Sequence, residues 1–180
     1  MEFVRGSNRI VAVMPKMGIV LKFPVMNVRS ALASLIVDSW KYNWGLGYRG
    51  FKSQLLAGLT ANWIEFWRFA STRSPFLQPT YFSFFGFLNI QRYGHPCTLK
   101  PVNVWCQLCE LTDNKVWDDG HHFSNPENFT LDDGTLRILD YGSTKTRRVI
   151  KDYGEKIAKE FDPAYNWDEI RDKPKNGPSD

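Results

Sequence analysis

The sequence predicts a mixed α+β fold, and three features indicate it. Two β-branched runs lie near the N-terminus and are joined by a Pro/Gly turn. Apolar residues then recur at helical spacing across residues 30–69. Further along, two short apolar runs flank Asp133 and Gly134, a dipeptide typical of tight hairpins. Strands and amphipathic helices are therefore both expected in this chain of 180 residues.

The composition limits the class of protein. Hydrophobic residues make up 43% and aromatic residues 15% of the chain, which is enough for a packed core and excludes a wholly disordered protein. A mean hydropathy of −0.37 with 23% charged residues excludes a polytopic membrane protein. The net charge of +4 suits ligands that carry phosphate but is too small to indicate nucleic acid. With three cysteines and no apolar leader segment, we expect a cytoplasmic protein that has no membrane partner.

In the N-terminal half, residues 9–14 and 19–23 are expected to form a hairpin, because both are β-branched and a Pro/Gly turn separates them. Residues 30–40 have the apolar spacing of an amphipathic helix. A glycine-rich loop is expected at residues 45–50. A longer helix is expected at residues 51–69, with Glu65 near its end.

Residues 76–93 are rich in aromatic side chains, and we expect one or two buried strands there. The aromatic residues of this part of the chain are assigned to the core rather than to a base-stacking surface, and they include Trp63, Trp67, Tyr81 and Phe84.

In the C-terminal half, residues 102–111 are predicted to form a short helix or strand, and the polar stretch 118–128 a loop. A second hairpin is expected at residues 129–139, with its turn at the Asp-Gly dipeptide. Residues 145–161 have the pattern of a charged amphipathic helix.

Three short pieces of sequence are candidates for binding chemistry, and the first is at the N-terminal hairpin. Gly6 and Ser7 precede the first predicted strand, where a glycine lets backbone N–H groups approach phosphate oxygens. Lys22 on the following strand supplies a point charge for those oxygens. The alternative is a plain hairpin with Lys22 at a solvated edge.

The other two pieces flank the second hairpin. Asn128 precedes it and Asp140 follows it, 12 residues later. An amide and a carboxylate presented from the two ends of one hairpin can face a single magnesium ion, which prefers oxygen ligands and accepts one carboxylate together with phosphate oxygens. The spacing is therefore more specific than either residue alone.

Together these pieces resemble the protein-kinase-like superfamily. Residues 121–128 read His-His-Phe-Ser-Asn-Pro-Glu-Asn, and the last three letters match the family's catalytic loop, His-Arg-Asp-Leu-Lys-Pro-Glu-Asn. Asp140, Tyr141 and Gly142 look like its Asp-Phe-Gly metal loop. The resemblance implies a compact two-lobed kinase-like fold with a nucleotide cleft between the lobes. It implies an N-terminal lobe at 1–94 and a short, truncated C-terminal lobe at 95–172. The polar tail at 173–180, which contains two prolines, is expected to be frayed.

The resemblance also implies the ligands, ATP and Mg²⁺, and the residues that hold them. Gly6, Ser7, Lys22 and Glu65 are assigned to the nucleotide, with Glu65 orienting Lys22, and Asn128 and Asp140 are assigned to the metal.

Two departures from the family bear on activity. Phe123 stands where the family keeps its catalytic aspartate, and a phenyl ring cannot accept a proton. The sequence ends 38 residues after Gly142, which is short for a peptide-binding lobe. Asp119 and His121 are candidate substitutes for the missing base. The expected function is therefore a pseudokinase-type regulator or a divergent phosphotransferase.

Two alternatives remain open from the sequence. A non-enzymatic interaction module would keep the kinase-like fold without nucleotide, and its partner face would be the aromatic stretch at residues 76–93. Separately, Cys106 and Cys109 with the histidine pair at 121–122 are a candidate zinc site. The favoured interpretation of the two cysteines is that they are core residues of a helix.

Overall fold

A computed structural model describes residues 1–6 and 8–171, so Ser7 and the predicted tail at 173–180 lie outside the described residues. The fold is mixed α+β, as the sequence predicts. The chain divides into two compact units. The first unit comprises Met1–Arg73, Gln78–Gly94 and Tyr141–Ser143, and the second comprises Ser74–Leu77, His95–Asp140 and the chain from Thr144 onward.

The first unit contains a five-stranded antiparallel sheet. Its strands are β1 (Glu2–Arg5), β2 (Arg9–Met14), β3 (Ile19–Pro24), β4 (Thr80–Phe84) and β5 (Leu88–Arg92). They lie in the order β1-β2-β3-β5-β4. The predicted N-terminal hairpin is confirmed, since β2 pairs with β3 from Arg9↔Pro24 to Met14↔Ile19. Its turn contains a 3₁₀ helix at Pro15–Met17 and ends at Gly18, whose φ of 67° suits a residue without a Cβ.

Three helices connect β3 to β4. They are α1 (Val28–Lys41), α2 (Trp44–Leu55) and α3 (Ala57–Thr72). The helix expected at residues 30–40 is confirmed as α1. The loop expected at 45–50 is wrong, because the Asn43 side chain caps a helix that already contains these glycines. The helix expected at 51–69 is two helices, divided at Leu56.

The expectation that the aromatic stretch at residues 76–93 is buried holds for Phe76, which is fully buried, and is wrong for the aromatic residues of β4 and of the turn after it. Strands are present, but Tyr81 is 58% exposed and Phe84 55%, and Trp67 on α3 is 54% exposed. The buried residues of β4 are Thr80 and Ser83, and a register shift between Thr80 and Phe82 interrupts the regular alternation of this strand. Elsewhere on the sheet, Lys22 and Asn89 are buried against polar groups of α3. The buried side of the sheet is therefore unusually polar.

The second unit is mainly helical around one hairpin. Its helices are α4 (Pro101–Leu111), α5 (Gly120–Phe123), α6 (Thr144–Glu160) and α7 (Trp167–Arg171), and its strands are β6 (Phe129–Asp132) and β7 (Thr135–Ile138). The predicted second hairpin and the C-terminal amphipathic helix are confirmed. At the hairpin turn Asp133 and Gly134 both have positive φ, at 51° and 76°.

The polar stretch at 118–128 differs from the predicted loop. It begins in a 3₁₀ helix at Lys115–Asp119, contains α5, and ends in a second 3₁₀ helix at Pro126–Asn128. These short helical turns carry buried side chains, and the polar composition of the stretch did not indicate that helical turns would form there. The residues that form the core of this unit include Leu108, Phe123, Phe129, Leu136, Ile138 and Ile157. Across residues 1–6 and 8–171, no helix combines the length and the apolar character needed to cross a bilayer.

Candidate functional site

A buried ion pair joins the sheet and helix α3 of the first unit. Lys22 Nζ donates to Glu65 Oε2 at 2.9 Å, and Glu65 is fully buried. Arg9 Nη1 donates to the other carboxylate oxygen, Oε1, at 2.5 Å. Arg9 and Lys22 reach the same carboxylate because Val11 pairs with Lys22 across β2 and β3, and Arg9 is two residues from Val11 on the same side. Two cations thus share one carboxylate.

Backbone-directed hydrogen bonds fix the position of α3 one turn before Glu65. Asn62 Nδ2 donates to the carbonyl oxygens of Lys22 at 3.2 Å and Gly86 at 2.9 Å. In return, Asn89 Nδ2 on β5 donates to the carbonyl oxygen of Asn62 at 2.7 Å. These bonds tie α3 to the strand that carries Lys22, so the separation of Lys22 and Glu65 is set by the backbone as well as by their charges.

The same helix holds the residues that follow Asp140. Arg68 Nη1, one turn after Glu65, donates to the carbonyl oxygens of Tyr141 and of Ser143, the latter at 2.7 Å. Gly142 lies so close to α3 that an added Cβ would be 3.2 Å from the Cβ of Ala61. The segment Tyr141–Ser143 is therefore part of the first unit.

Tyr141 itself is buried and hydrogen-bonded. Its hydroxyl donates to the carbonyl oxygen of Gln78 at 2.7 Å and lies 2.7 Å from Thr80 Oγ1. Burial raises the pKa of this hydroxyl far above its ordinary value, and the negative charge of Glu65 raises the pKa further. The phenol is therefore a fixed, neutral hydrogen-bonding group close to the Lys22–Glu65 pair.

In the second unit, Phe123 takes a structural position. It is 1% exposed, and its ring packs 6.5 Å from the ring of Phe129, measured between centroids. Phe123 is therefore a core residue of this unit.

A hydrogen-bonded Asp–His pair lies beside Phe123. Asp119 is 7% exposed, and its Oδ1 lies 2.8 Å from His122 Nδ1. Its Oδ2 accepts a hydrogen bond from Thr146 Oγ1. The neighbouring His121, named as a candidate base, is exposed and its ring centroid is 5.2 Å from that of His122. Sequence reasoning missed His122, although its three-residue spacing from Asp119 is a helical spacing that brings side chains together.

The two predicted metal ligands belong to the second unit. Asn128 Nδ2 donates to the carbonyl oxygen of His122 at 2.9 Å, so a metal-binding role falls to its Oδ1. Asp140 is half-buried and directly precedes Tyr141. In the first unit, Gly6 is exposed, and its N–H donates to the carbonyl oxygen of Arg9 at 2.8 Å within the turn before β2.

The candidate zinc site does not form. Within the described residues, no three His, Cys, Asp or Glu side chains gather as metal ligands. Cys106 and Cys109 are free thiols on α4, and burial raises the pKa of both, which disfavours the thiolate that zinc requires. Both are partly exposed rather than fully buried core residues.

Comparisons with protein-family models, curated proteins and solved structures found no match to this chain. Any assignment of function therefore rests on the residues and their geometry.

Proposed function

We propose that this protein is a kinase-like nucleotide-binding protein that takes ATP with Mg²⁺. The observation that carries the proposal is the buried pair of Lys22 on β3 and Glu65 on α3. Protein kinases orient the lysine that contacts ATP phosphates by pairing it with a helix glutamate, and that lysine also lies on the third strand. In this proposal Lys22 Nζ contacts phosphate oxygens and Glu65 holds it in place.

Two cationic side chains at Glu65 support an anionic ligand in this proposal. Arg9 and Lys22 both donate to the Glu65 carboxylate, and each carries more than one N–H donor. Phosphate oxygens are acceptors that suit both a guanidinium and an ammonium group.

Magnesium completes the proposed ligand set. The kinase-like resemblance assigns it to Asn128 and Asp140, which offer an amide oxygen and a carboxylate, the hard oxygen donors that Mg²⁺ prefers. The hydrogen bonds from Arg68 support the assignment of Asp140 to the metal, because they hold the residues that follow Asp140 against the helix that carries Glu65. A two-lobed kinase-like fold is part of this proposal.

The activity in this proposal is that of a pseudokinase-type regulator, or of a divergent phosphotransferase. Phe123 favours the regulator, because a buried phenyl ring occupies the position of the catalytic base. Phosphotransfer would require another base. His122 is better arranged for that role than His121, since the Asp119 carboxylate orients the imidazole through Nδ1 and leaves Nε2 as the second ring nitrogen.

Calorimetric titration of the purified chain with ATP, with Mg²⁺ and with EDTA, tests the proposal. We expect Mg²⁺-dependent binding that weakens at least about tenfold in Lys22→Met and in Asp140→Asn, which corresponds to about 1.4 kcal/mol each. Lys156→Met is the matched control, because Lys156 is an exposed lysine of α6. Equal affinity in all four proteins would contradict the site, and the absence of binding to wild type would contradict the function.

A second candidate function, an interaction module without nucleotide, is favoured by one observation. The β4–β5 turn and α3 expose several aromatic rings, some of which contact one another. Phe85 stacks on Trp63 with ring centroids 6.0 Å apart, and it also contacts Phe84. The exposed members are Trp67, Tyr81, Phe82, Phe84, Phe85 and Phe87. Exposed aromatic patches of this kind mark protein-interaction sites. A protein that fails to bind ATP in the titration above would leave this function as the candidate.

A further inference from the structure

We propose that the hairpin formed by α1 and α2 is a peripheral membrane-binding element that docks on the surface of an anionic lipid bilayer. This function is separate from nucleotide binding and uses a different surface of the first unit. The support comes from how the two helices pack, which side chains they leave exposed, and the charge they carry.

The two helices pack closely on each other through small residues. Gly47 is buried, and an added Cβ would lie 1.9 Å from Ser39 Oγ and 2.6 Å from the carbonyl oxygen of Leu35. Gly50 has a similar position beside Ser34. Because small residues occupy the contact, the large apolar side chains of the hairpin are left on its outer surfaces.

The exposed apolar side chains follow helical stripes. On α1, Leu32, Ile36 and Trp40 are spaced four residues apart and are 45%, 64% and 91% exposed. On α2, Trp44 and Tyr48 are four residues apart and are 70% and 51% exposed. Tryptophan and tyrosine are the residues enriched where proteins meet the headgroup region of a bilayer, since their rings are apolar with one polar end.

The charge of the hairpin selects a negatively charged surface. Residues 28–55 contain four basic side chains and one acidic side chain, which gives the hairpin a net charge of +3. The single acid, Asp38, accepts a hydrogen bond from Ser34 at 2.9 Å between turns of α1. The basic residues are all exposed and are Arg29, Lys41, Arg49 and Lys52.

Two of these lysines lie beside exposed tyrosines. Lys41 Nζ is 5.4 Å from the ring centroid of Tyr42, and Lys52 Nζ is 5.6 Å from that of Tyr48. Aromatic rings next to cationic heads match the boundary between acyl chains and anionic headgroups. An apolar groove on a protein partner would not complement this excess positive charge, whereas anionic headgroups would. The charge therefore favours lipid over a protein partner.

The lengths of the helices place the hairpin on the membrane surface rather than across it. α1 has 14 residues and α2 has 12. At 1.5 Å per residue they are about 21 and 18 Å long, against about 30 Å for the hydrocarbon core of a bilayer. Surface binding needs no spanning helix, and it would replace the expectation from sequence that the protein has no membrane partner.

Flotation of the full chain with lipid vesicles tests the proposal. One set of vesicles contains phosphatidylcholine alone and the other contains phosphatidylcholine with phosphatidylglycerol. We expect binding to the anionic vesicles only, reduced about fivefold for each basic residue neutralised in Arg49→Gln and Lys52→Gln. Trp40→Ala should also weaken binding severalfold, because its exposed ring is the largest apolar group available to enter the interface.

Two controls make the result specific. Trp117→Ala removes a tryptophan of the second unit that is 65% exposed. Lys156→Gln removes an exposed lysine of α6. Both variants should bind like wild type. Melting temperatures within a degree or two of wild type would exclude unfolding. Equal binding to both vesicle types, no binding to either, or loss of binding in the control variants would overturn the proposal. So would dimerisation that Trp40→Ala abolishes in lipid-free solution, since the occupant would then be a second copy.

Discussion

Glu65→Gln is the substitution that probes the buried ion pair most directly. The change keeps the shape of the side chain and removes its charge. In wild type the Glu65 carboxylate has no exposed surface, and the Lys22 side chain is 6% exposed. Removing one partner of a buried pair leaves the other charge uncompensated, which costs about 3–5 kcal/mol. Arg9 loses the same carboxylate, but at 13% exposure its guanidinium can turn toward solvent, so the main cost falls on Lys22.

The measurement is the free energy of unfolding in urea, followed by circular dichroism. We expect Glu65→Gln to lose about 3 kcal/mol or more. The control is Asp168→Asn, which breaks the exposed pair of Lys100 and Asp168, whose side chains are 66% and 44% exposed. Exposed pairs contribute about 0–1 kcal/mol, so this variant should stay close to wild type.

A double variant separates the pair from the packing of α3. Lys22→Met with Glu65→Leu replaces both charges by apolar groups, a change that is often neutral for buried pairs. We expect the double variant to be more stable than Glu65→Gln alone. A loss in Glu65→Gln no greater than in Asp168→Asn, or a double variant less stable than the single one, would refute the assignment of a tightly coupled buried pair.

Three further predictions concern packing and ionisation. Gly47→Ala should lower the free energy of unfolding by about 1–3 kcal/mol, because the new Cβ meets the backbone of α1. Gly45→Ala is the control and should be neutral or stabilising, because its nearest neighbour is a side-chain oxygen at 3.3 Å. The melting temperatures of the two variants test this difference. Phe123→Asp should lower the free energy of unfolding by about 3–5 kcal/mol and produce no phosphotransfer, because it buries an unpaired carboxylate. Phe123→Leu should retain the fold. A stable and active Phe123→Asp would contradict the structural role of Phe123. The raised pKa of Tyr141 predicts that stability is fully present below pH about 10 and falls as the pH rises above it, because the unfolded chain then ionises first. Tyr141→Phe should flatten that decline in urea unfolding, and an unchanged slope would show that another group causes it.

The local elements were predictable where short-range chemistry decides them. The Pro/Gly turn before β3 and the Asp133–Gly134 turn fix their hairpins within a few residues. The failures have tertiary causes. Glycines at residues 45–50 signal a loop by propensity, but close packing against α1 makes them helical.

The candidate site was harder to predict, because its partners come from distant parts of the chain. Lys22 and Glu65 are 43 residues apart, and only the kinase-like resemblance suggested that they pair. No local pattern indicated Arg9 as the second cation on the same carboxylate. The aromatic residues of β4 were assigned to the core by composition. Their rings are exposed, whereas the buried residues of the same strand are Thr80, beside the Tyr141 hydroxyl, and Ser83, which accepts from the N–H of Gly86. A polar interface between a helix and a sheet inverts the usual rule for which residues are inside.

The central claim is that the Lys22–Glu65 pair serves a bound nucleotide. The most direct measurement is thermal unfolding of wild type and Lys22→Met in millimolar ATP, with Mg²⁺ and with EDTA. A ligand present at a hundred times its dissociation constant adds about 2.7 kcal/mol of stability when it binds the folded state alone. We expect a Mg²⁺-dependent rise in the melting temperature of wild type that is absent in Lys22→Met. An unchanged melting temperature in wild type, or an equal rise in both proteins, would contradict it.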